Sequence, residues 1–401
     1  MSRWPVAPEC QGNHLITTSS SLQGVTARPL PVQPRSRRDF NLAGFRQRDN
    51  SIAAWQLVST LAPTAVLWAM VPSLAVAPGL LRLLLLPVLA LLVLFSARSF
   101  SLMHDCGHDS LWASPKLNRL TGFLLGGVNA IPQYPWSRGH AFHHKHNGNW
   151  QLYRGPSALL SVEQFLKLSV AEQRRYAFTR HPLMLFPGGF FYLILRPRLQ
   201  LLLGVWQWAS TMLRHLVMNG WRDFAELPGH TREFRSSHWY TAGEFYDLLL
   251  NNVVVLSSWW LMGRWLGYGL FWSCYATVMT FSAAIFICIF FVQHNYPGSY
   301  AHGSAGWSYF KGAIDGSSNL LLPPILNWFS ADIAFHSIHH LCERIPNYRL
   351  RACHQAHAHL LAGCTYLRIR DIPACFNLIL WDSQANQLVS VHTALQANSQ
   401  A

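Results

Sequence analysis

The fold class predicted by this sequence is all-α and integral to a membrane: four transmembrane helices in two hairpins beneath a cytoplasmic helical cap that holds a di-metal site. Three observations predict it. Hydrophobic residues make up 51% of the 401 and charged residues only 12%, against a usual charged share of ~25%. Apolar stretches long enough to cross a bilayer, ~20 residues each, come in two pairs, each pair joined by a turn containing glycine. Histidines cluster just beyond the second stretch of each pair.

The first pair covers residues 52–70 and 79–102, with Pro72, Pro78 and Gly79 supplying the turn. The second covers residues 248–266 and 270–292, with the turn at residues 267–269. Seventeen Trp and 23 Phe suit the aromatic belts at the edges of a bilayer.

A net charge of +14 would raise the question of nucleic acid in a soluble protein. Here it follows the positive-inside rule. Arg28, Arg35, Arg37, Arg38, Arg46 and Arg48 precede the first stretch, whereas the turns carry only Arg82 and Arg264, which sets the N-terminus in the cytoplasm and excludes a nucleic-acid partner. Eight Cys occur without a CxxC pair, so no disulfide framework is expected. Residues 1–50 carry Pro5, Pro8, Pro29, Pro31 and Pro34 among scattered Arg and no apolar signal region; they are expected to be a basic, loosely ordered cytoplasmic arm.

A further apolar segment, residues 186–213, is interrupted by Arg196, Pro197 and Arg198. A full crossing there would put His294 on the opposite side from His140 to His144, so the segment is expected to lie in the interface without spanning. The main domain is then residues 51–382, and residues 383–401 form a C-terminal tail.

His104 and His108 are four apart, which on a helix stacks them on one face. His140, His143 and His144 follow HxxHH, and His336, His339 and His340 repeat that pattern almost 200 residues later. His294 follows the last apolar stretch directly. A lone His usually reads as a surface or hydrogen-bonded residue, but this repetition at membrane exits does not. Imidazoles with few acids nearby suit a transition metal, not Mg or Ca, and so many donors suit two ions, not one. His146 falls at the edge of the shared face and reads as a bystander. Cys353, His354, His357 and His359 cluster without the repeated pattern. Among nearby acids, Asp105 and Asp332 are expected to orient ligand rings, Asp332 because it precedes His336 by four residues; Glu343 ranks lower. Trp112, Trp136 and Trp328 read as packing or interface residues.

The boxes HDCGH, HAFHH and HSIHH, with FVQHN between the second and third, resemble those of the integral-membrane fatty acid desaturases. The likeness runs from about residue 52 to 382 and is nearest to the acyl-lipid omega-6 or delta-12 branch, judged also from ERIPNYRL after the third box. It implies a di-iron centre (two Fe ions) held by His104, His108, His140, His143, His144, His294, His336, His339 and His340. It implies removal of two hydrogens from an acyl chain with O2 and two electrons, and no further catalytic residue.

The implied substrate is an acyl lipid or acyl carrier. No HPGG haem motif is present, so electrons are expected from a separate ferredoxin or haem cytochrome. Arg174, Arg175, Arg349 and Arg351 suit either an acidic donor or lipid headgroups. The resemblance further implies a multi-pass protein, working at the cytoplasmic face of a bacterial membrane among its lipids. An acetylenase, hydroxylase or epoxygenase would carry the same boxes. A metal transporter or membrane scaffold is disfavoured, because transport ligands belong near mid-membrane.

Overall fold

The computed structural model describes residues 36–153 and 158–400. Helix α1 (Asn50–Ala75) starts where the Asp49 side chain accepts from the backbone N–H groups of Ser51 and Ile52, at 2.8 and 3.2 Å, the usual N-cap arrangement. Pro72, expected in the turn, lies inside this helix together with Pro63; helices of membrane type tolerate proline because neighbouring groups re-satisfy the freed carbonyl. Gly79, at φ +55°, turns the chain into a short 3-10 segment and then α2 (Leu85–Gly107). Box one is therefore the last turn of α2, not a loop after it.

Helices α3 (Pro115–Val128) and α4 (Gln133–His146) follow. The second hairpin is α6 (Ala242–Leu266) and α7 (Tyr268–Val292), with Gly267 alone between them at φ +79°, a conformation that favours glycine. Asn50–Ala75, Gly79–Gly107 and Tyr268–Val292 are long and apolar enough to cross a membrane. Helix α6 matches them in length, but Asn251, Asn252 and Arg264 lower its apolar character.

Residues 185–219 differ from expectation, because Arg196–Arg198 do not break them. A π-turn (Phe191–Leu195) joins a short helix (Leu185–Phe190) to α5 (Arg196–Asn219), and Pro197 sits in the first turn of α5, where its missing N–H costs nothing. Gly189 lies so close to α7 that a Cβ there would come 3.1 Å from the Ala283 methyl. Arg198 is buried and donates to Asn252 Oδ1 at 2.7 Å, to the carbonyls of Ala130 and Ile194 at 2.8 and 3.0 Å, and to Asn251 Oδ1. This network ties α5 and α6 to the loop before α4.

The residues after α7 carry α8 (His336–Leu341) and α9 (Asn347–Ala356), so the architecture is mostly helical but not wholly so. Strand β1 (Leu160–Ser161) pairs in parallel with β4 (Leu380–Asp382), which pairs antiparallel with β5 (Gln387–Val389); β2 (Asn319–Leu321) runs parallel to β3 (Tyr366–Arg368). The expected tail boundary at residue 383 thus falls inside a β-hairpin, and the last helix (Val391–Gln400) packs Ala394 against Phe165 and Tyr176.

The arm is corrected in the same way. Residues 1–35 lie outside the described residues, but Phe40 and Leu42 are buried against Ile338, Leu341 and Cys353, and the Asn41 N–H donates to His357 Nε2 at 3.0 Å. Two apolar side chains at i, i+2 suffice to anchor this end of an otherwise polar segment.

Replacing Arg198 by Met should leave two buried amide oxygens, on Asn251 and Asn252, without a donor. At ~1–3 kcal/mol for each unsatisfied group, a loss of about 3 kcal/mol is expected. It should appear as a lower unfolding temperature of the detergent-solubilised variant; an unchanged temperature would deny the network its structural role.

Candidate metal centre

Four elements present the histidines. His104 is on α2 with His108 just past its end; His140, His143 and His144 lie on α4; His294 follows α7; His336, His339 and His340 lie on α8. Side chains of α6 hold α4 in place. Asp247 Oδ2 accepts the Tyr134 N–H in the first turn at 3.1 Å, and buried Glu244 pairs with Arg138 at 2.9 Å. Asn147, directly after α4, donates to the carbonyls of Gly312 and Gly316 at 2.6 and 3.0 Å.

The side chains sort into two sets. The ligating atoms of His104, His108, His140, His144 and His339 all lie within 4.8 Å of one another, as do those of His143, His294 and His340. His336 stands at the edge of the second set, its Nε2 3.0 Å from that of His294 and its ring 4.5 Å from that of His340. The rings face one another through Nε2: His140 to His104 at 2.8 Å, His108 to His104 at 3.4 Å, His144 to His140 at 3.0 Å, His339 to His144 at 3.1 Å, and His143 to His294 at 3.0 Å.

These separations fit a metal. Two imidazoles bound at 2.0–2.1 Å with angles of ~90–110° hold their nitrogens ~2.9–3.4 Å apart. The buried His340 has no hydrogen-bond partner on either ring nitrogen, and the Nδ1 atoms of His143, His144, His336 and His339 also lack one. Buried polar atoms without partners ask for an explanation, and a coordinated cation supplies it for the His340 nitrogen that joins the second set.

Burial sets the charge state. His140, His143, His144, His336, His339 and His340 are all held well below the ordinary imidazole range, first by burial and then by neighbouring rings. Burial takes His294 to about 4, against an opposing hydrogen bond to the Gly316 carbonyl at 3.0 Å. These rings are neutral and keep the lone pairs that ligation needs.

The acids depart from expectation. Asp105 does face a ligand, its Oδ1 3.4 Å from His104 Nδ1, while its Oδ2 accepts the Asn347 backbone N–H at 2.7 Å and side-chain amide at 2.9 Å. Asp332 instead accepts Arg351 at 2.7 Å. Ala331 and Asp332 have φ of 50° and 54°, and α8 starts only at His336, so the assumed helical face does not exist. Glu343 takes the part expected of Asp332: its Oε2 is 3.4 Å from His108 Nδ1 and 3.7 Å from His144 Nδ1.

His146 turns away to the Phe142 carbonyl at 3.0 Å. His357 is engaged by Asn41 and the Cys353 carbonyl, and His354 meets the Tyr366 hydroxyl, so neither belongs to a donor set. Asn347, which also bonds Gln56 of α1 at 2.6 Å, and the Gly316 carbonyl carry roles that no spacing pattern signals. Trp136, read as packing, stacks on His140 with centroids 4.8 Å apart.

Fold and site together define a helical protein with segments apolar enough to cross a membrane and a histidine cluster able to hold metal. The sequence profile of the fatty acid desaturase family matches residues 78–371, and the chain belongs to that family of oxidoreductases. A fatty acid desaturase of Bacillus subtilis (strain 168) is 27% identical over 350 residues, 87% of this chain and 88% of its own length. A Delta(12) fatty acid desaturase of Mortierella isabellina is 22% identical over 267 residues, 62% of this chain and 60% of its own. An sn-1 acyl-lipid omega-3 desaturase (ferredoxin) of Nostoc sp. (strain 36) is 23% identical over 299 residues, 73% of this chain and 70% of its own.

Elemental analysis of purified variants tests the sets. His143→Ala and His339→Ala should each lower bound transition metal, whereas His146→Ala should retain it; full retention in the first two would undo the ligand assignment.

Acid should act through the same rings. Below about pH 6.5 the unfolded chain takes up protons that the folded chain refuses, so stability falls as pH falls, by up to about 1.4 kcal/mol per pH unit for each ring. Above about pH 6.5 both states are neutral and nothing is lost. The unfolding temperature should therefore be level above pH 7 and fall steeply below about 6.5, with bound metal leaving over the same window. A level profile down to pH 5 would contradict the buried, neutral state of these rings.

Proposed function

We propose that the protein is a di-iron membrane desaturase that introduces a C=C double bond into the acyl chain of a lipid or acyl carrier, using O2 and two electrons. The observation that carries this reading is the pair of buried histidine sets in a chain of the desaturase family. Through His104 the first set touches a small, mostly apolar cavity lined by Phe100, Ser101, Phe286, Ile289, Phe290 and Ile333. Phe290 lies at ring-centroid distances of 6.0 Å from His104 and 5.7 Å from His140. An acyl chain has no polar group for the protein to grip, and apolar side chains beside the rings suit such a substrate.

Iron, when bound, supplies the O2 activation and the hydrogen abstraction from an unactivated carbon. The protein's own part is to hold the ligands: His104, His108, His140, His144 and His339 at one position, and His143, His294, His336 and His340 at the other. Asp105 and Glu343 fix ring orientation from behind. Phe100, Phe286 and Phe290 exclude water from the reacting face and align the chain.

In this reading α6 is the fourth span. Its outward residues Leu250, Val253, Val254, Leu256, Trp260 and Leu261 are exposed and apolar, while Asn251 and Asn252 face inward, which suits lipid contact. The Arg-rich residues before α1 favour a cytoplasmic active site held in the cap, with residues 186–213 seated at the membrane interface. The extent of the Bacillus subtilis relative's match favours a bacterial membrane. A separate donor of the ferredoxin class is favoured by the likeness to the sn-1 acyl-lipid omega-3 desaturase (ferredoxin) of Nostoc, with a haem cytochrome as the other candidate. Arg174 and Arg175 are exposed and free to meet an acidic donor, whereas Arg351 is engaged by Asp332.

Gas chromatography with mass spectrometry of host lipids after expression tests the reaction and the bond position. A new unsaturated acyl species is expected, lost in His143→Ala. A product that gains oxygen and no double bond would replace the desaturase by a hydroxylase or epoxygenase, and a triple bond by an acetylenase.

A further inference from the structure

The two donor sets differ in what stands behind the rings. In the first, three Nδ1 atoms face carboxylates: His104 faces Asp105 at 3.4 Å, and His108 and His144 share one oxygen of Glu343 at 3.4 and 3.7 Å. In the second, His294 has only the Gly316 carbonyl, at 3.0 Å; the Nδ1 atoms of His143, His336 and His340 lack a hydrogen-bond partner, as does that of His339 in the first set, while His144 keeps only the longer 3.7 Å charge contact to Glu343. Among the described residues, the ion pairs of this second set with any acid number none.

Glu343 stands on the short connection between α8 and α9, with its side chain 39% exposed. It brings a charge supplied from the third box to one ring of the first box and one of the second. A carboxylate behind a metal-bound imidazole fixes the tautomer that turns Nε2 to the metal and makes the ring a stronger donor; removing such a partner weakens metal affinity ~10–100-fold. A carbonyl orients the ring but adds no charge.

Resting on the metal-centre reading above, we propose that the two positions are inequivalent, with Glu343 as the positioning residue that makes the His104/His108/His140/His144/His339 position the tighter one. The second position releases its metal first. Five donors against four already lean the same way, so the test must isolate the carboxylate. Glu343→Gln does so, because it keeps an acceptor oxygen of the same reach and removes the charge.

The full chain, purified in detergent and loaded anaerobically with Fe2+, is titrated with a chelator while bound iron is counted by elemental analysis. The wild type should lose iron in two steps. Glu343→Gln should move the tighter step ~10–100-fold toward weaker binding and leave the looser step in place. His294→Ala should keep one ion at the wild-type tighter step. Asp332→Asn, which removes an acid paired with Arg351 and not with a histidine of either set, should leave both steps unmoved, and the unfolding temperature of the iron-free Glu343→Gln chain should match the wild type.

The inference is overturned if the tighter step is unmoved in Glu343→Gln, or if His294→Ala abolishes that step and spares the looser one. A wild-type chain that binds no iron in any preparation overturns the metal-centre reading itself. Two bound ions released together, with Glu343→Gln unchanged, overturn only the inequivalence.

Discussion

Nε2 atoms crowded to within 2.8–3.4 Å of one another are the constraint on which the rest of this structure depends. A neutral imidazole has one donor and one acceptor nitrogen. His104 Nε2 faces both His140 and His108, His140 faces both His104 and His144, and His294 faces both His143 and His336. One proton on each ring cannot satisfy every such contact and also the Nδ1 atoms left bare. Protonating the rings is no remedy, since burial and mutual repulsion disfavour it. A cation shared among the Nε2 lone pairs resolves the contacts between rings, so the surrounding helices must hold the rings in a geometry that is costly without it.

That requirement accounts for the density of polar contacts around α4, which carries three of these rings. Its first turn is fixed by Asp247 and Glu244 from α6, and its last is followed by Asn147, bound to the carbonyls of Gly312 and Gly316. Box one is held by Asp105, which reaches Asn347 on α9, and Asn347 in turn grips Gln56 on α1. One chain of hydrogen bonds therefore links the first hairpin, box one and the segment after box three. Positions on a metal centre tolerate errors of ~0.5 Å, which single helices packed only through apolar side chains would not guarantee.

Helical spacing in the sequence places i, i+3 and i+4 on one face, and α4 and α8 are helices over those residues, but it did not show the division into sets, which parts His143 from His140 and His144 and His339 from His340. The choice of acid was not legible either. Asp332 satisfied the spacing rule, but two left-handed residues redirect the backbone there, whereas Glu343 reaches two rings from a connection whose path no periodicity encodes. The loosely ordered reading of the arm failed between residues 36 and 49 for a related reason. Scattered proline and arginine set that reading for the arm, and only the tertiary fold reveals that Phe40 and Leu42 have a pocket to fill. Gly79 and Gly267 do lie at turns between helices, yet proline misled: Pro72 and Pro197 both sit within helical segments.

Helix α6 shows why hydropathy and structure give different impressions of the same segment. Its polar residues are what keep it from ranking with the three apolar helices, but Asn251 and Asn252 are not turned toward the surroundings. Both accept from Arg198, and their own amides donate to the Ile131 and Leu248 carbonyls at 3.1 and 2.7 Å. A buried guanidinium with no acid beside it is tolerable only when its donors are met by oriented dipoles. The two asparagines supply those dipoles, so the helix is polar where it faces Arg198 and largely apolar where it faces outward. A hydropathy average adds the two faces together, and the resulting middling value conceals an outer face that carries Leu250, Val253, Val254, Leu256, Trp260 and Leu261 beside Ser257, Ser258 and Arg264.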